Sequence, residues 1–333
     1  MLFRRIFPNR FSDADFALLV NISYYICVEN QIFNEKLIVS TDPGIDDIIA
    51  LALLSKLSPV ANHALLPCFG NGPVELIAKN AAEFIKYCAP NWLMAPNSEL
   101  PENGHIERPF PDYFHGPDGV WNIHIDSNSY SASEVQYCEN SNNNNLASYN
   151  SGISLGTLSA FSHKHPIFKD RINLSTISIM GGVFNEPGNE TDYSETNIAF
   201  DPVGADSYFE QPINTTILVP LDVTRKVSWG YEKVEAIKVH DATTWWLKNA
   251  MHAWFEKYNH QREDTLCLHD PLAIWLLFNQ SDAKWEESGV RVVLDGQERG
   301  RTVFDSSRPD CNIAMELKDA KRIEDKIWHT IFS

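Results

Sequence analysis

The chain has only 27 lysines and arginines against 44 aspartates and glutamates, a net charge of −17. This shortage of positive charge makes nucleic acid and anionic membrane surfaces poor partners, since phosphate backbones are repelled by such a balance. It suits a small neutral substrate and a bound cation. Cysteine is also sparse. Cys27, Cys68, Cys88, Cys138, Cys267 and Cys311 are scattered, with no Cys-x-x-Cys pair and no dense framework. That argues against a disulfide-stapled fold and for free thiols in a reducing compartment, with a cytoplasmic location expected. After the N-terminal region no segment reads as membrane-spanning, and no internal repeat is visible. A Mg²⁺-dependent phosphotransferase would need phosphate-binding Lys and Thr motifs after later strands, and no convincing set is found.

What is present is a large apolar fraction, 44% of 333 residues, enough for a sizeable core in one large α/β domain or two medium ones. Residues 1–35 read as an N-terminal extension. Their basic start and the apolar stretch from Phe16 to Val28 resemble a weak targeting segment, but Asn21 interrupts the stretch and it is too short to cross a bilayer comfortably. The remainder, 36–333, reads as one folded domain. Lys36–Thr41 predicts a short buried strand, Asp42–Asp47 a polar loop, and Ile48–Leu54 a buried helix. That is the opening unit of a mostly parallel sheet flanked by helices, whose ligands gather at the carboxyl ends of the strands. Further helices are predicted over 74–87, 233–258 and 318–332, and strands over 172–180 and 215–219. Segments 289–294 and 301–304 predict a late antiparallel pair. The Ser/Asn-rich stretch 127–150 predicts an exposed insertion.

Asp42, Asp46 and Asp47 put three carboxylates within six residues at a strand-to-helix turn. At about 4 Å such charges repel by roughly 4 kcal/mol per pair at an effective dielectric near 20. They require a cation or shared protons, and all-oxygen ligation favours Ca²⁺ or Mg²⁺ over zinc. The alternative is capping of the helix by acids, favoured by its dipole. Two further clusters carry chemistry. Met180-Gly-Gly is followed by Asn189, Glu195 and Asn197, groups suited to sugar hydroxyls, although an ordinary polar loop has the same composition. His269-Asp270 opens an apolar helix, where an aspartate is commonly a cap.

Together these segments resemble the inosine/uridine-preferring nucleoside hydrolase family. The resemblance lies in Asp42-Pro-Gly-Ile-Asp-Asp, Gly70-Asn71 with Glu75 and Asn80, and His115-Gly-Pro-Asp-Gly. It continues through Met180-Gly-Gly with Asn189, Glu195, Asn197 and Asp201, then Pro220-Leu-Asp-Val-Thr, His269-Asp-Pro-Leu-Ala and Gly300-Arg-Thr. Any one piece is weak, but seven in order over about Lys36 to the C-terminus are specific.

The resemblance implies a Ca²⁺-dependent ribonucleoside hydrolase with the nucleoside hydrolase-like α/β fold. It implies that Asp42, Asp47, Asp270 and the main-chain carbonyl of Leu155 hold Ca²⁺, and that Asp42 is the general base for a Ca²⁺-bound water. Asp46, Asn71, Met180, Asn189, Glu195 and Asn197 would contact the nucleoside, and His269 would assist departure of the base. His115 and Tyr258 are placed near the base. A dimer or tetramer is expected on the same ground. Ser40 departs from the family, which usually has an aspartate there. That departure favours the alternative of a weak or inactive nucleoside-binding descendant.

Overall fold

Apolar and β-branched residues covered on both faces make Leu37–Thr41 a strand, and in the computed structural model these five residues form β1, all of them buried. The structure describes residues 36–59, 61–95, 108–138, 149, 151–161, 174–213, 215–258 and 265–333. The extension expected over 1–35 lies outside them, as do 139–148 and 150 of the Ser/Asn-rich stretch.

On one side of β1 lie β2 (Ala64–Pro67), β3 (Leu93–Met94) and β4 (Gln136–Tyr137). On the other lie β5 (Ser151–Ser154), β6 (Thr176–Met180) and β7 (Thr215–Val219). All seven strands are parallel. A separate two-stranded ribbon joins β8 (Ser228–Trp229) to β9 (Leu266–Cys267). The late strands β10 (Ala283–Val292), β11 (Thr302–Phe304) and β12 (Asp310–Leu317) complete the main sheet. There β12 runs parallel to β7, β10 antiparallel to β12 and β11 antiparallel to β10. Among the described residues the sheet has ten strands, in the order β11-β10-β12-β7-β6-β5-β1-β2-β3-β4. The chain builds outward from β1 on one side and then returns to β5 on the other. The β1/β5 boundary is therefore a topological switch point, where open α/β sheets leave a crevice at their carboxyl edge.

The helices are α1 (Ile45–Leu57), α2 (Val74–Tyr87), α3 (Asp112–His115), α4 (Thr196–Phe200), α5 (Pro202–Glu210), α6 (Leu221–Thr224), α7 (Tyr231–Glu235), α8 (Ala242–Lys257), α9 (His269–Phe278) and α10 (Ala320–Phe332). Helix α1 is buried on every side from Ile45 to Leu54 and packs on α8, α9 and α10, as a helix without a polar face must. No helix among the described residues is long and apolar enough to cross a membrane.

Two expectations need correction. The single helix predicted over 233–258 is two, α7 and α8. The second starts at Asp241, whose carboxylate accepts the Thr244 N–H while the Thr244 hydroxyl lies against the Asp241 N–H. Such a reciprocal cap satisfies the free N–H groups at the start of α8 and so fixes a new helix there. The late antiparallel pair is found, with Val290 opposite Phe304 and Val292 opposite Thr302. However, β10 begins earlier, at Ala283, to pair with β12, a strand absent from the sequence reading.

The loop after α3 is tied to α2 at both ends. Asn80 donates to the carbonyls of Pro43 and Asp118. The half-exposed His124 ring bridges Glu83 Oε2 at 2.7 Å and Asp118 Oδ2 at 2.8 Å. These two hydrogen-bonded carboxylates push its pKa up to about 10. A group raised above its ordinary 6.5 in the fold contributes stability that is whole below pH 6.5 and fades as pH climbs toward 10. His124→Gln is therefore expected to lower Tm most at pH 6 and to match the unaltered protein near pH 10. Because the ring is half exposed, solvent screening limits the effect to a few degrees, about the shift from 1 kcal/mol or less. A Tm difference that stays constant from pH 6 to 10 would refute the charge-based clasp.

Candidate active site

The carboxyl ends in the middle of the sheet converge on one crevice. Asp42 follows β1, Asn71 follows β2, Leu155 follows β5 and Met180 ends β6. The crevice is a cavity of about 420 Å³, within the range that encloses small ligands. Asp46, Asn71, Leu155, Met180, Asn189 and Glu195 line it, as do Asn197, His269 and Asp270.

Asp46 and Asp270 line its floor, with the buried Asp47 and Asp42 next to them. Asp46, Asp47 and Asp270 bring one carboxylate oxygen each within 4.8 Å of one another. Asp47 is fully buried and stabilised by donors. Thr41 Oγ1 donates to its Oδ1 at 2.6 Å, and Gly44 N and Asn71 Nδ2 donate to its Oδ2 at 3.0 and 3.1 Å. Asp42 Oδ2 accepts the Asn71 N–H at 2.7 Å. Its other oxygen, Oδ1, is buried without any hydrogen-bond partner. Burial first, then the neighbouring carboxylates, holds Asp42 and Asp270 well above the usual carboxylate range. The same causes push Asp46 up to about 8. Among the described residues these four acids have no cationic side chain paired with them. A divalent cation reverses the effect of each charge on the others, and a partnerless buried carboxylate oxygen is the atom such an ion would satisfy. The donor set is all oxygen, which fits a hard cation. The cluster can therefore bind a metal.

Two glycines make room for Asp42. A methyl group on Gly70 would run into Asp42 Oδ2, and one on Gly156 would run into Asp42 Oδ1. The carboxylate thus sits in a slot between two stretches of backbone. Ser40, in the position where the family resemblance expects an acid, is fully buried beside the equally buried Cys68 thiol.

The opposite wall is built around α4. Glu195 caps this helix, its two oxygens accepting the N–H groups of Gly182, Asn197 and Ile198 at 3.0, 2.8 and 3.1 Å. Burial nevertheless pushes its pKa up to about 7. Asn197 Nδ2 donates to the carbonyls of Leu155 and Met180 at 2.9 and 3.2 Å, which leaves its Oδ1 for a ligand. Asn189 Oδ1 accepts Thr196 N–H at 3.0 Å, which leaves its amide hydrogens. Asn71, Glu195 and Asn197 thus hold the site together as well as line it, a duty not visible in the sequence.

The third wall is aromatic. Tyr113 and Phe114 on α3 meet Trp254 and Tyr258 at the end of α8, with Phe114 centroids 5.6 Å from Trp254 and 4.7 Å from Tyr258. Sequence reading missed all of these but Tyr258, since only the fold brings α3 to α8. His115 closes the corner. Its Nδ1 accepts the Ile45 N–H at 3.2 Å, so the neutral ring carries its hydrogen on Nε2. Burial holds its pKa down to about 3. Burial likewise holds His269 down to about 4, and Thr224 Oγ1 lies 2.7 Å from its Nδ1. Nε2 is therefore the nitrogen of His269 left for a ligand.

Known proteins share this architecture. Similar to this chain is a protein named "Probable uridine nucleosidase 1" from Oryza sativa subsp. japonica, 24% identical over 83% of this chain and 86% of its own. Among solved structures, a plant nucleoside hydrolase superposes with a TM-score of 0.77 at 23% identity, covering 90% of this chain and all of the other. A purine-preferring ribonucleoside hydrolase from Gardnerella vaginalis gives 0.74 at 21% identity, over 89% and 98%. These likenesses show the nucleoside hydrolase fold. The family model described as inosine-uridine preferring nucleoside hydrolase matches residues 37–324, from the start of β1 into α10, and the chain belongs to that family.

Proposed function

We propose that this chain hydrolyses the N-glycosidic bond of ribonucleosides to ribose and free base, with Ca²⁺ held by Asp42, Asp47, Asp270 and the Leu155 carbonyl. The observation that carries the reading is the buried, partnerless Asp42 Oδ1, crowded by Asp46 and Asp47 beside a cavity that Asp46, Asp270, Asn71, Glu195 and Asn197 line. Bound Ca²⁺ would supply a Lewis acid that fixes ribose hydroxyls and makes an attacking water easier to deprotonate.

The chain's own residues do the rest. Asp42, locked at Oδ2 by the Asn71 N–H, takes the proton of the attacking water as general base. Asp46 and the Asn197 Oδ1 hold ribose hydroxyls. Asn71, Asn189 and Glu195 shape the sugar end, and Met180 packs against the ribose. As the base departs, positive charge grows on the ribose ring, and the buried carboxylates stabilise it in a water-poor cavity. His269, oriented by Thr224, assists the leaving base through Nε2. The aromatic wall offers the base a stacking surface. A dimer or tetramer is part of the same reading.

The test is ribose release from inosine, uridine, cytidine, adenosine and guanosine, before and after chelation, alongside a thermal melt. Chelation is expected to abolish release and lower Tm, because an ion that binds only the folded state stabilises it. Readded Ca²⁺ should restore both. Full release after chelation removes the metal from the mechanism, and no release from any nucleoside by the ion-loaded protein removes the hydrolase.

A further inference from the structure

The aromatic wall of the cavity is anchored at one end only by its own fold. His115 is fixed by the Ile45 N–H, and Phe114 leans on α8. At the other end, residues 108–111 have no regular secondary structure. They are held by two contacts to the sugar-end loop and α4. Arg108 donates to Glu190 Oε1 at 2.8 Å, with both side chains largely buried. Phe110 stacks on the buried Phe200 with ring planes 13° apart. The partner loop is hydrogen-bonded within itself and to Arg225. Gly188 N bonds Asp192 O, Glu190 N bonds Ser194 O, and Arg225 holds the Pro187 and Gly188 carbonyls. Glu190 follows Asn189, a cavity residue, and Arg108 comes shortly before Tyr113, another. Burial first, and then the Glu190 carboxylate, raises the pKa of the Tyr113 hydroxyl.

We propose that Arg108 and Glu190 are a positioning pair that clasps the aromatic wall to the sugar-end loop and so sets the width of the nucleoside cavity. The pair touches no reacting atom. It fixes the distance between the surface that stacks the base and the groups that grip the ribose, so both ends of one nucleoside are met at once. Breaking it frees residues 108–113 and leaves the aspartate floor untouched. The effect therefore falls on substrate binding more than on turnover. This inference rests on the nucleoside reading for its kinetic part, but its structural part can be read without substrate.

The experiment compares Arg108→Ala, Glu190→Ala, the double variant and the charge-swapped Arg108→Glu/Glu190→Arg in the full chain. Amide hydrogen exchange of residues 108–116 is followed without substrate, and KM and kcat are measured with inosine and uridine. Each single variant is expected to speed exchange and raise KM by roughly three- to tenfold, as a partly buried ion pair allows, with a smaller change in kcat. The double variant should do no more than either single one, and the swap should recover most of both. Coupled, swap-rescued exchange in a protein that releases no ribose supports the clasp while sinking the hydrolase reading. Exchange unchanged in both single variants, or KM effects that simply multiply, overturns the clasp.

Discussion

Asp42→Asn is expected to cut ribose release by about 10³-fold, the scale of a lost general base, while the protein stays folded. The substitution is nearly isosteric. The amide oxygen can still accept the Asn71 N–H that Oδ2 now accepts at 2.7 Å. What changes is the other atom. The partnerless buried Oδ1 becomes an NH₂ group, which can neither take a proton from water nor ligate a cation. Removing one of four crowded acids also relieves repulsion. The metal-free variant should therefore melt no lower than the metal-free parent, and its Tm should respond less to added Ca²⁺. Steady-state kinetics and melts with and without Ca²⁺ check both halves. Turnover within tenfold of the parent would remove Asp42 from the role of base.

Gly156→Ala should be nearly as damaging, without touching an acid. A methyl group there would run into Asp42 Oδ1 and come within 2.6 Å of Cys68 Sγ. Both neighbours are buried, so neither can move into solvent. Overpacking of this kind costs about 1–3 kcal/mol, and displacing a reacting group by about 1 Å can cost 10²-fold in rate. The two effects are separable. Adding Cys68→Ala makes space on the thiol side and should recover stability in urea unfolding, but the clash with the carboxylate persists and activity should stay low. Parent-like kcat/KM in Gly156→Ala would mean that the slot does not hold Asp42.

The contrast between these residues shows what a single sequence can convey. The aspartate cluster was legible because three acids at a strand-to-helix turn demand a physical explanation wherever they occur. Helix α1 was legible because its stretch Ile48–Leu54 is apolar without a break, and α2 because its apolar residues recur at helical spacing. Strand β12 was not. Its pattern of exposed and buried residues from Asp310 to Leu317 is broken by two adjacent buried residues, Ile313 and Ala314, so a strict alternation misses it. The break between α7 and α8 was written in Asp241 and Thr244, but the aromatic residues on both sides suggested continuity. The aromatic wall had no local signal, because Tyr113 and Phe114 lie far in sequence from Trp254 and Tyr258 and only the fold brings them together. Nor could the sequence assign donors. It placed Asn71 and Glu195 on the sugar, whereas in the fold the Asn71 amide also ties Asp42 to Asp47 and Glu195 also caps α4.

The floor of the cavity joins the first strand of the domain to a helix near its far end, since Asp47 and Asp270 share one hydrogen-bonded contact. No segment of the chain contains the cluster by itself. A proteolytic fragment ending before α9 would keep three of the acids and lose the fourth, and a nascent chain would lack it until α9 had been made. An ion bound there would act as a late fastener. It would have little to grip while the chain is searching for its topology and would hold the two segments together once they have met, so its main effect would fall on how rarely the finished protein comes apart.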